Sequence, residues 1–212
     1  ETVRVLAALH TVDVDAIGLS DYGRAGGYIA RQVSRWSEQY RASATRDVRE
    51  MDALIEWLPR HVPESEETTL AHGDYRLDNL IFHSKEPRVL AVIDWELSTI
   101  GHPLADLAYM CMLYDVVLPR VGGLLGVDFE ASGIPDEDAF VAAYCAAARR
   151  SERPDDWPYF KAFSLFRLAA IAQGVFKRSQ QGNASSEDAA MYEAAVQHLS
   201  SIACGLVDLS GV

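Results

Sequence analysis

Three cysteines among 212 residues, Cys111, Cys145 and Cys204, are too few, too widely spaced and too apolar in setting to form a disulfide frame or a zinc site. They read as reduced core thiols. No apolar run reaches the roughly eighteen residues of a membrane helix, and the opening ETVRVLAALHTVD lacks the basic-then-apolar order of a signal peptide. A membrane partner is therefore not expected, and the expected compartment is the cytoplasm. Positive charge is also scarce: the formal net charge of −12 argues against nucleic acid as a partner. No repeat, low-complexity tract or convincing domain linker interrupts the chain.

What the sequence does have is 49% hydrophobic residues, enough to bury a sizeable core. It also has two basic islands. Between Tyr22 and Arg49, and again between Asp156 and Glu187, the local balance is +4 despite the acidic whole. Solvated helix faces account for scattered Arg; an anion-binding wall built from two distant segments accounts for them equally well.

Helical spacing of apolar residues predicts helices over 1–10 and 27–42, and from Thr45, as cap, to Pro59. Further helices are predicted over 103–116, 136–150, 157–180 and 186–209, the last capped by Ser185 or Ser186. Between these groups, TTLAH, LIF and RVLAVI read as short strands, with HSKEP as a turn between the last two. Residues 117–135, with four glycines, read as an irregular surface loop. The abrupt start, without initiator Met or cap, leads to the expectation that a longer protein continues here.

The stretch LAHGDYRLDNLIF, residues 70–82, crowds polar groups between two segments suited to burial. If 80–82 and 88–93 form a hairpin, Asp94 returns to the level of Asn79, and Asp74, Asn79 and Asp94 converge. Two carboxylates about 4 Å apart repel by about 4 kcal/mol at an effective dielectric near 20, so such a site awaits a proton or a cation. Oxygen ligands from Asp and Asn suit Mg²⁺, which takes the rest of its shell from water and substrate phosphates. That combination points to phosphoryl transfer.

The interval from Asp74 to Asn79 in HGDYRLDN equals the Asp-to-Asn interval of the kinase catalytic loop, and Asp94 in VIDWE stands where the metal-binding Asp of that fold stands. With GHPLADLA at 101–108, the pattern resembles the aminoglycoside phosphotransferase and choline kinase-like family. Longer stretches, GGYIARQVSRWSEQYRAS and FRLAAIAQGVFKRSQQGNAS among them, are similar to the kinase-like domain associated with certain acyl-CoA dehydrogenases. The resemblance implies an α+β, predominantly helical fold: the C-terminal lobe of a protein-kinase-like fold, with a small β-hairpin carrying the active site. It implies Asp74 as the catalytic Asp, Asn79 and Asp94 as Mg²⁺ ligands, and ATP as co-substrate. By the same analogy His72 braces the loop and Asp106 supports it from the next helix. Asp78 caps the turn or faces solvent, and Arg76 either contacts phosphate or substrate or is a surface Arg.

A kinase of this type also needs a nucleotide lobe, a small sheet with a phosphate-covering loop and a Lys–Glu pair. No run of strands precedes residue 68, and GRAGG at 23–27 precedes a helix without following a strand, so it reads as a turn. The expectation is a C-terminal lobe over 1–212 whose partners are a small-molecule substrate, the missing N-terminal lobe of the same protein, and an acyl-CoA dehydrogenase domain or protein. The basic islands favour an anionic acceptor such as a hydroxy acid or its CoA thioester, with Arg31, Arg35, Arg167 and Lys177 as candidates to touch it. Core packing accounts for Tyr28, Trp36, Phe163 and Phe166. Two other readings remain open: a kinase for a cationic aminoglycoside or choline-type acceptor, and a scaffold fragment without turnover.

Overall fold

A computed structural model describes residues 1–65, 67–119, 122–150, 153–181 and 186–209. Helix α1 (Thr2–His10) leads through turns to α2 (Tyr28–Ser43) and α3 (Arg49–Trp57), the latter continued by a 3-10 turn at Leu58–Arg60. Strand β1 (Thr69–Ala71) follows, then the hairpin β2 (Leu80–Phe82) and β3 (Val89–Val92), and then β4 (Thr99–Gly101). Helix α4 (Pro103–Cys111) precedes a two-residue ribbon, β5 (Val117–Leu118) with β6 (Gly122–Gly123). The chain closes with α5 (Phe129–Ser132), α6 (Glu137–Ala147), α7 (Trp157–Gln180) and α8 (Ser186–Leu206). The predicted cap Ser185 lies outside the described residues, as do residues 120 and 121 of the predicted loop.

Two helices form the centre because their sequences leave no polar face. Every residue of α4 is buried, and α7 buries Trp157, Phe160, Phe163 and Phe166 between α2, α4 and α8. Each such aromatic contributes about 2–3 kcal/mol by leaving water. By contrast α2 is amphipathic: Ile29, Val33, Trp36 and Tyr40 follow the helical repeat and face inward. All three cysteines are buried thiols.

Three sequence expectations are corrected. The third helix starts at Arg49 and not at Thr45, because the Thr45 hydroxyl accepts a hydrogen bond from the Gln173 amide, which ties this segment to α7 and leaves Thr45 outside the helix. The helix expected over 103–116 ends at Cys111 and tightens into a 3-10 turn at Met112–Tyr114, beyond which Asp115 turns to pair with Lys161 at 2.6 Å. The loop 117–135 carries the β5–β6 ribbon and α5. At Gly123 a Cβ would lie 1.8 Å from the Val116 carbonyl oxygen, so only glycine permits that close approach.

Small antiparallel sheets frame the polar stretch. Strand β1 pairs with β4, Ala71 opposite Thr99, and β2 pairs with β3, Leu80 opposite Val92. The polar residues 72–79 therefore leave the end of one sheet and enter the start of the other, with both ends fixed.

Candidate active site

The first residues of the loop are held from below by α4. The Asp106 carboxylate accepts the backbone N–H of His72 at 2.6 Å and that of Gly73 at 2.9 Å, and His10 of α1 approaches it at 3.3 Å. Burial alone would push the Asp106 carboxyl up, but the His10 and backbone donors together hold it below the usual Asp value. His10 is held in turn by the Tyr144 hydroxyl of α6, 2.6 Å from its other ring nitrogen. Gly73 has φ +82°, and a Cβ there would meet the Leu97 carbonyl oxygen at 2.5 Å. Only glycine passes this corner.

His72 is fully buried and spans the site. Its Nε2 donates to the Ile93 carbonyl at 2.9 Å while its Nδ1 accepts the Asp74 N–H at 3.2 Å, a pairing that fixes one tautomer. The ring thus ties the loop to the residue that precedes Asp94. Tyr75, also fully buried, donates its hydroxyl to the Thr2 carbonyl at 2.8 Å and anchors the loop to α1.

The other end of the loop lies at the hairpin. After a 3-10 turn at Leu77–Asn79, the Asn79 amide donates to the Asp74 carbonyl at 2.9 Å and to the Asp74 carboxylate at 3.0 Å. The Asn79 carbonyl accepts from the Ile93 N–H at 2.9 Å, which sets Asp94 one residue beyond the last rung of the hairpin. Asp94 is exposed and left-handed, with φ +66°, a conformation that a non-glycine residue adopts only where surroundings enforce it.

As a donor set these residues fit a hard divalent cation. With its amide nitrogen committed to Asp74, Asn79 offers Oδ1, and Asp94 offers a solvent-facing carboxylate. Among the described residues no group of three His, Cys, Asp or Glu side chains is gathered as a protein-only metal cage. A pair of one carboxylate and one amide oxygen, which leaves positions for water and phosphate, suits Mg²⁺ better than such a cage would.

Of the basic candidates, Arg76 lies on the loop and pairs with Asp78 at 2.6 Å. Arg167 lies over the ring of Tyr109 at 4.6 Å and over that of Trp36 at 5.3 Å. Arg35 covers Trp36 at 5.6 Å. Arg31 donates to the carbonyls of Gly26 and Arg24, and Lys177 donates to the Ala42 carbonyl at 2.7 Å. These last two serve backbone carbonyls at the two ends of α2, and no contact among the described residues joins them to Asp74.

Sequence reasoning missed His10, Tyr144 and Tyr109. Tyr109 follows Asp106 by three residues and so shares its helix face, a signal that the spacing offered. Burial pushes its phenol up; Arg167 opposes this and the neighbouring Asp74 carboxylate adds to it. His10 and Tyr144 are separated by 134 residues and carry no local signal. Beside the loop, an apolar cavity of about 620 Å³ is lined by Leu77, Val3, Met110, Leu113, Leu124 and Phe140, among others.

The family model described as the phosphotransferase enzyme family matches residues 1–163. Acyl-CoA dehydrogenase family member 10 of Mus musculus is 48% identical over 189 residues, which cover 88% of this chain and 18% of that protein. The crystal structure of a Ralstonia eutropha protein, described as a candidate aminoglycoside phosphotransferase, superposes with a TM-score of 0.93 at 45% identity, covering 99% of this chain and 64% of that one. Choline kinase of Cryptosporidium parvum shares the fold, with a TM-score of 0.64 at 13% identity over 99% of this chain and 67% of its own. The chain spans between 18% and 26% of the length of the curated relatives it matches. A helical lobe of kinase-like fold, a polar loop held between two small sheets and a family model covering most of the sequence agree with one another: the chain belongs to the phosphotransferase enzyme family.

Proposed function

We propose that this chain is the C-terminal, catalytic lobe of an ATP- and Mg²⁺-dependent kinase that phosphorylates the hydroxyl of a small anionic metabolite, a hydroxy acid or its CoA thioester. The observation that carries the reading is the double hydrogen bond from Asn79 to Asp74, with Asp94 one backbone hydrogen bond away. In this reading the Asp74 carboxylate serves the acceptor, while Asn79 Oδ1 and Asp94 serve a metal.

In the proposed reaction the acceptor oxygen forms a bond to the γ-phosphorus, the bond from that phosphorus to the ADP oxygen breaks, and the hydroxyl proton passes to Asp74. Asn79 orients the Asp74 carboxylate, and His72 and Asp106 keep the loop backbone from moving away from the hairpin. Mg²⁺, when bound at Asn79 Oδ1 and Asp94, supplies positive charge to the phosphates. The apolar cavity beside Leu77 supports an acceptor with an apolar portion. No helix among the described residues is long and apolar enough to cross a membrane.

The nucleotide-binding lobe and an acyl-CoA dehydrogenase portion belong, in this reading, to the rest of a longer protein, as the names and lengths of the relatives support. The test is ATP-dependent phosphorylation of a hydroxy-acid and hydroxyacyl-CoA panel by the full-length protein, beside its Asp74→Ala variant. Transfer is expected in the first and abolished in the second with the fold intact; normal turnover by the variant overturns the assignment.

A further inference from the structure

Arg167 is a buried cation without a counter-ion. The residue is 6% exposed, and its Nε is buried with no hydrogen-bond partner. Its contacts are two aromatic faces, Tyr109 and Trp36, and among the described residues it makes no ion pair. Asp106 and Asp74, the acids of α4 and of the loop, have partners of their own. The oxygens of Asp106 take His10 and the two loop N–H groups, and the carboxylate of Asp74 takes Asn79.

Stacking on two rings attracts a guanidinium but leaves its in-plane N–H donors unused, and burial without those bonds is costly. A planar guanidinium fork held against two aromatic rings is preorganised to bind an oxyanion, and it gives up little rotamer freedom in doing so. Its position links it to the reaction. Tyr109 lies one helical turn beyond Asp106, whose carboxylate holds His72 and Gly73, so the two share one face of α4. The influence of both Asp74 and Arg167 on the Tyr109 phenol agrees with this. Tyr109, with the guanidinium over its ring, therefore stands on the helix face from which Asp106 holds the loop that carries Asp74.

Resting on the kinase reading above, we propose that Arg167 is the receptor for the anionic group of the acceptor, holding a carboxylate or phosphate oxyanion at the edge of Tyr109 while the acceptor hydroxyl lies at Asp74. One charge thereby selects anionic acceptors, and Tyr109 fixes its distance from the reacting oxygen. Of the other basic candidates, Arg31 and Lys177 serve backbone carbonyls, Arg76 is paired with Asp78, and Arg35 shares the Trp36 ring but is not placed over Tyr109.

The experiment is calorimetric titration of the full-length protein with inorganic phosphate, with 3-hydroxybutyrate, with its neutral amide and with Mg·ATP. Wild-type protein is expected to bind both anions and to discriminate against the amide. Arg167→Gln and Arg167→Met are expected to weaken anion binding at least tenfold while Mg·ATP binding is unchanged. Circular dichroism checks the fold of each variant, and Arg167→Lys, which keeps the charge but not the planar fork, replaces any variant that does not fold and is expected to recover only part of the affinity. Equal anion affinity in wild type and variants, or no anion binding by wild type, overturns the proposal. So does a loss confined to Mg·ATP, which would assign the guanidinium to the nucleotide phosphates. Asp74→Asn and the wild type together separate the two readings: the variant is expected to keep anion binding and lose transfer, normal transfer by it would remove Asp74 as the catalytic carboxylate, and anion binding without any transfer by wild type would remove the kinase assignment without touching the anion receptor.

Discussion

The Asn79 amide donates to both the carbonyl and the carboxylate of Asp74, at 2.9 and 3.0 Å, so that the two ends of the loop hold each other directly. Replacing that donor with an acceptor tests the link. Asn79→Asp would set two carboxylates against each other, where repulsion at about 4 Å is on the order of 4 kcal/mol at an effective dielectric of 20 and is lessened here by partial exposure. A loss of about 2 kcal/mol at neutral pH is expected, shrinking as acidification relieves the repulsion. Urea titrations at pH 7 and pH 4.5 measure the difference, and an unchanged gap between variant and wild type would show that the carboxylates avoid one another.

Asp106 carries more of the loop than its distance from Asp74 suggests. Asp106→Ala would leave the His72 and Gly73 N–H groups buried without partners, and His10 without its acid. Each orphaned donor costs about 1–3 kcal/mol, so a total loss of about 3 kcal/mol or more is expected. Asp106→Asn keeps the shape but offers one acceptor oxygen where two are used, and is expected to fall between. Chemical denaturation ranks the three proteins, while amide hydrogen exchange at His72 and Gly73 should rise first in the variants.

Some of this was legible before any coordinates. The loop and hairpin lie within one contiguous stretch, and the inward face of α2 follows the helical repeat, so local spacing was enough to position them. The pairing of β4 with β1 was not legible, since three residues are too few to show a period of two. Nor was the β5–β6 ribbon, which rests on two glycines and one close backbone approach. The position of Thr45 was misread because a residue that caps helices well was taken up by Gln173, more than a hundred residues away. The brace of His10, Tyr144 and Asp106 unites three helices and has no signature in any single one.

His102 predicts how stability responds to acid. Its Nδ1 caps α4 by accepting the Leu104 N–H at 3.2 Å, and its ring stacks on Phe160 at 4.8 Å. Burial pushes the imidazole down from 6.5 to about 4, against a smaller opposing pull from Glu67. The unfolded chain therefore takes up a proton that the folded chain refuses between these values. In that window stability falls as pH falls, by about 1.4 kcal/mol per unit and roughly 3 kcal/mol at most, and above it the contribution is complete. Urea denaturation from pH 7 to pH 4.5 should show this slope. His102→Asn, which keeps a capping oxygen but cannot titrate, should flatten it.

Asp94 sets stability against function at one residue. Its left-handed backbone costs a typical L residue about 1–2 kcal/mol, a cost that Asn and Asp bear best among side chains because they can bond locally. Asp94→Asn is accordingly expected to fold with stability within about 0.5 kcal/mol of wild type, since the backbone demand is met and an exposed charge is lost. Asp94→Gly meets the demand freely and should be at least as stable at 25 °C, apart from the entropy glycine adds to the unfolded chain. Both variants remove a carboxylate from the proposed metal site, so Mg²⁺-dependent ATP binding by the full-length protein should weaken by about tenfold or more. Denaturation and calorimetry on the same preparations separate the two effects. Unchanged metal dependence in two well-folded variants would mean that the strain at Asp94 serves only the turn into Trp95–Leu97; its loss alongside preserved folding would mean that the strained backbone is retained for the carboxylate it presents.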